Sequence, residues 1–90
     1  MAIEIKSAMD WSDVEGDLIR QVARVKDPLK RIEAKKVLDN FGPMITKLSM
    51  LELEARRSSS HSTRKVDEQL DIINQSIVEL EQWITLLLLI

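Results

Sequence analysis

Apolar side chains at Val66, Leu70, Ile73, Ile77, Leu80, Ile84 and Leu87 recur at spacings of 4, 3, 4, 3, 4 and 3. An apolar residue thus fills every a and d position of three heptads, the pattern of a helix that lays one narrow stripe against a neighbour. It predicts a helix over residues 64–90. A second stripe, Trp11, Val14, Leu18, Val22, Val25, Leu29 and Ile32, follows helical spacing nearer the N-terminus. Ser12 and Glu15 form a capping-box pair at its start, so a helix is expected over residues 12–26. Asp27-Pro28 then offers an N-cap followed by a proline at the first helical position, predicting a second helix over residues 28–40. Because the apolar stripe runs on through that point, a single kinked helix is the alternative.

The strongest punctuation is Asn40-Phe41-Gly42-Pro43. Asn or Gly is suited to a left-handed helix stop and Pro43 to opening the next helix, which places a third helix at residues 43–57. Its stripe of Met44, Leu48, Leu51 and Ala55 is widened by Ile45, Met50 and Leu53, so this helix is expected to be the most buried. Residues 1–11, with Ile3 and Ile5 alternating with charged residues, read as an extended arm. The polar stretch 58–63, Ser-Ser-Ser-His-Ser-Thr, reads as a mobile loop.

The fold class that follows is all-α, with three to four helices forming a bundle in a single domain over residues 1–90. Composition agrees, with two Gly, two Pro, no Cys, no Tyr and only Trp11, Phe41 and Trp83 as aromatics in 90 residues. The predicted last helix is roughly 40 Å long at about 1.5 Å per residue, whereas a compact chain of this size is roughly 30 Å across. It outruns the cover its own chain supplies. It is therefore expected to pair with its copy in a dimer or tetramer, with Val66, Leu70, Ile73, Ile77, Leu80, Ile84 and Leu87 as the oligomerisation interface.

Charge changes the picture only through its arrangement. A net charge of −2 divides into −4 over residues 1–19, +5 over 20–36, −2 over 37–54, +4 over 55–65 and −5 over 66–90. The basic residues Lys26, Lys30, Arg31, Lys35 and Lys36, with Arg56 and Arg57, are the candidates for contact with a partner or a nucleic acid. The plainer expectation sets the basic second helix beside Asp67, Asp71, Glu79 and Glu81 of the last helix. The acidic total and the lack of interleaved aromatics weigh against nucleic acid.

Candidate chemistry is sparse. His61 stands alone in the serine-rich stretch, without the ordered shell that a nucleophilic triad needs. Gly16 and Gly42 cannot make a phosphate-cradling loop, and no Glu-x-x-His pair suggests a bundle metal site. No cofactor, metal or catalytic residue is assigned, and the chain is read as not an enzyme. Arg56-Arg57-Ser58-Ser59 resembles a basic-directed phosphorylation site, a short and common pattern.

The N-terminus lacks a basic segment followed by an apolar one, so an intracellular, cytoplasmic location is expected. The apolar run from Ile84 to Ile90 is far shorter than the roughly 20 residues of a membrane span. The expected function is a non-catalytic protein–protein interaction or assembly protein, an adaptor or chaperone-like accessory protein that self-associates through its C-terminal helix. The alternatives are a dimeric nucleic-acid-binding regulator using the basic second helix, and a peripheral membrane protein using the C-terminal leucines.

Overall fold

A short 3-10 turn at Ala8–Asp10 leads into α1 (Trp11–Ala23), followed by α2 (Pro28–Asp39), α3 (Phe41–Arg57) and α4 (Thr63–Leu88). The structure is a computed structural model that describes residues 4–57 and 63–89, and no strand occurs among them. Residues 58–62, which include His61 and most of the predicted mobile loop, lie outside the described residues. Thr63 is already the first residue of α4.

The predicted break between the first two helices is real, and the kinked alternative is not adopted. Asp27 is extended at ψ 116° and its side chain accepts the Leu29 N–H at 2.9 Å, with Pro28 at the first helical position. α1 ends at Ala23, three residues short of expectation. Past that end, the Arg31 guanidinium donates from Nε to the Val25 carbonyl at 2.9 Å and from Nη2 to the Lys26 carbonyl at 3.4 Å. Val25 itself is buried.

Two predicted helix signals work differently. The Ser12 capping box does not form, because the 3-10 turn runs directly into α1 and leaves Ser12 inside the helix. Asp10, in the cap position, already has helical backbone angles (φ −74°, ψ −16°), so its side chain does not cap α1 and instead accepts the Lys6 N–H at 2.9 Å. At the second junction, Asn40 is right-handed (φ −67°, ψ −14°) rather than left-handed. Its N–H is shared between the Lys36 and Val37 carbonyls at 3.2 Å. α3 therefore starts at Phe41 instead of Pro43. The proline falls in the first turn, where its missing N–H costs no intrahelical bond.

Leu18 of α1, Ala34 of α2, Leu48 of α3, and Ile73, Ile77 and Ile84 of α4 are completely buried in one apolar cluster. Phe41 stacks on Trp11 with ring centroids 5.0 Å apart, joining the starts of α1 and α3. The widened stripe suggested α3 as the most buried helix, but it is not: α1 buries four of its 13 residues and α4 five of its 26. α3 buries only Phe41 and Leu48, and its Met50 and Leu53 are 61% and 49% exposed.

The N-terminal segment is a strap across α3 and α4. Ile5 is buried, its N–H donates to Asn74 Oδ1 at 2.7 Å, and Asn74 Nδ2 donates to its carbonyl at 3.0 Å. The Ala8 N–H donates to the Glu52 carboxylate at 3.1 Å. The extended reading holds for Ser7 (φ −157°, ψ 168°), but the arm is docked.

The molecule is elongated, 49 × 21 × 16 Å, with a radius of gyration of 14.6 Å. A compact chain of this length would have about 12 Å. At one end, α1 and α2 pack against the C-terminal half of α4. At the other, α3 and α4 extend as a two-helix arm. No helix among the described residues is long and apolar enough to cross a membrane.

Candidate interaction surface

The a and d stripe of α4 is used inside the chain. Ile73, Ile77, Leu80 and Ile84 are at most 2% exposed, while Val66, Leu70 and Leu87 towards its two ends are half-buried against the same core. Pairing of two subunits through this stripe is not shown, and at its centre these side chains are buried within the single chain. Cover comes from the chain's own helices, and a second subunit would reach these side chains only by opening the bundle.

One residue earlier in each repeat runs a second stripe with the same spacing: Lys65, Gln69, Ile72, Ser76, Glu79, Trp83 and Leu86. At about 100° per residue, it lies on the side of the buried line away from Asn74, and hence away from the N-terminal strap. Ile72 is 53% exposed, Leu86 61% exposed and Trp83 half-buried. Gln69 is buried and its amide donates to the Met44 carbonyl at 3.1 Å, fixing α4 against α3 beneath this face.

Two hollows follow one another along this side of the hairpin. One, of about 270 Å³, is lined by Val37, Phe41, Met44, Ser76, Glu79 and Trp83 among others. The next, of about 360 Å³, is lined by Lys47, Leu51, Lys65, Glu68, Gln69 and Ile72. Met44 and Lys47 are one turn apart on α3, as are Ile72 and Ser76 on α4, so the hollows form a single shallow groove between the two helices. Its apolar members are Val37, Phe41, Met44, Leu51, Ile72, Leu80 and Trp83, and its charged ones are Lys65, Glu68 and Glu79, with Lys47 near the middle where the two hollows meet.

The predicted basic surface is dispersed. Arg31 holds the connection between α1 and α2, Lys30 pairs with Glu33 at 3.5 Å and Lys35 with Asp39 at 3.1 Å. Lys30, Arg31, Lys35 and Lys36 spread over about two thirds of the circumference of α2 at 100° per residue, so they present no single cationic face. Lys26 and Lys30 line a hollow of about 240 Å³ with Val25, Asp27 and Leu87 where α2 starts and α4 ends. Arg56 and Arg57 are exposed at the end of α3. The ion pairs among the described residues, including Arg20 with Asp17 and Arg64 with Glu68, run along single helices; the expected pairing of basic α2 with acidic α4 is not among them.

Among the described residues no three His, Asp or Glu side chains gather as a metal-holding group. No buried side-chain nitrogen or oxygen there lacks a partner. The buried polar side chains are thus satisfied within the fold. Comparison with family models, with characterised proteins and with solved structures found no match to this chain.

Sequence reasoning passed over Ile72, Trp83, Met44 and Leu51 as a group. The signal was present as a second 4-3 repeat in α4. Only Ile72, Trp83 and Leu86 of its seven positions are apolar, so the complete stripe beside it dominated the pattern.

Proposed function

We propose that this chain is a non-catalytic assembly protein that self-associates through the groove between α3 and α4. The observation that carries the reading is the bare, partly apolar side of the hairpin, opposite the strap, with Ile72 about half exposed at its middle. Two helices alone cannot enclose their apolar faces, and a second hairpin laid on the first completes a four-helix bundle. This moves self-association from the a and d stripe of α4 to the stripe beside it. An isologous dimer of this kind leaves the outer faces of α1 and α2 available to further protein partners.

Light scattering during size-exclusion chromatography tests the reading. The intact chain is expected at a multiple of 10.4 kDa, and Ile72→Asp at the monomer mass with its helical circular dichroism intact. Wild-type protein that stays at 10.4 kDa at millimolar concentration would overturn it.

A second reading has one observation in its favour. Leu86 and Leu89 at the end of α4, 61% and 79% exposed, and Leu29 at the start of α2, 70% exposed, are close in sequence to Leu87 and Lys30, which line a hollow with Lys26. This suits contact with an anionic membrane surface. Co-sedimentation with anionic vesicles, lost in Leu86→Asp/Leu89→Asp, is its test, and no sedimentation of the wild type removes it.

A further inference from the structure

Whether two hairpins would meet in the same or in opposite directions is written in the charges of the outer stripe. Lys65 lies at one end of the groove and Glu79 at the other, with Ile72 midway, seven residues from each. Lys65 makes no ion pair with a described residue. The neighbouring Glu68 is occupied by Arg64 at 3.4 Å. Glu79 accepts only a long 3.4 Å hydrogen bond from Gln75. Each end of the groove therefore has a charge without an opposite partner, and the two are of opposite sign.

From this we infer that the occupant of the groove is a second copy of this chain in antiparallel orientation, with the two-fold axis at Ile72. The inference rests on the self-association proposed above. Two α4 helices related by that axis pair residues whose numbers add to twice 72, so Ile72 meets its own copy and Lys65 meets the partner's Glu79, twice per dimer. Parallel pairing sets Lys65 against Lys65 and Glu79 against Glu79, which is repulsive at both ends. The antiparallel arrangement also continues the up-down order of the α3–α4 hairpin into a four-helix bundle. At about 1.5 Å per residue, Lys65 and Glu79 are roughly 21 Å apart along the helix, beyond the screening length at physiological salt. The two cross-pairs thus act independently and fix the register from both ends.

The chain has no cysteine, so single cysteines report the register directly. Under mild oxidation, Ile72→Cys is expected to form a disulfide-linked dimer, because residues on the axis oppose one another. Lys65→Cys and Glu79→Cys are expected to stay uncrosslinked alone and to crosslink when mixed. Lys65→Glu should raise the dissociation constant about tenfold, and Lys65→Glu/Glu79→Lys should bring it back to within about threefold of wild type. Self-crosslinking of Lys65→Cys, or a dimer in which Ile72→Cys does not crosslink, would overturn the antiparallel register while leaving self-association standing. A wild-type monomer by light scattering would overturn both.

Discussion

Leu70 and Ile77 hold equivalent places one heptad apart in the same stripe of the same helix, yet Ile77 is completely buried and Leu70 only partly. The difference lies in the surroundings. Close to Ile77 the N-terminal strap binds Asn74 and Val37 of α2 lines a hollow with Leu80, whereas Gln69, beside Leu70, bonds the Met44 carbonyl and lines a hollow with Lys47 and Leu51 of α3. Heptad spacing states which face of a helix wants to be dry; how many neighbours arrive to dry it depends on chain lengths and turn geometry elsewhere. One end of the molecule is a closed bundle, and the other is an arm with its side open.

Truncations measure that contrast. Ile77→Ala, at the closed end, should cost about 3 kcal/mol of folding stability by urea denaturation, since it removes a buried side chain and leaves a cavity. A loss under about 1 kcal/mol would show the closed end to be loosely packed. Asn74→Ala should cost about 2 kcal/mol, because the Ile5 N–H and carbonyl both lose their partner when the strap docks. Faster hydrogen exchange at Ile5 would accompany that loss, and unchanged exchange would mean the strap is held by Ile5 burial alone. Leu70→Ala, on the arm, should cost only about 1 kcal/mol in the monomer. An effect equal to that of Ile77→Ala would erase the distinction between the two ends.

Much of the fold was legible in the chain. The α4 stripe, the Asp27-Pro28 break and a stop near Asn40 are local signals, and each appears where local chemistry places it. The errors are tertiary. Ser12 could not cap α1 because an upstream turn had already set Asp10 in helical conformation. Ile5 looked like part of a free arm because its partner, Asn74, lies 69 residues away. Arg31 read as a surface cation, but its guanidinium is spent on the Val25 and Lys26 carbonyls, a role set by the turn that joins α1 to α2. The groove was the least legible feature. It is built from Met44 and Leu51 on one helix and Ile72 and Trp83 on another, and no single stretch of sequence carries the pattern.

The central claim is that the two neighbouring stripes of α4 face different partners, the inner one its own chain and the outer one a second copy. Thiol labelling of single cysteines in the native protein, followed as it is diluted through its dissociation range, separates them in one experiment. Ile72→Cys should become more reactive as the dimer dissociates, while Ile77→Cys should stay unreactive at every concentration. Reactivity at Ile77→Cys that rises on dilution would contradict the account, because it would mean that the inner stripe is the one held by another molecule.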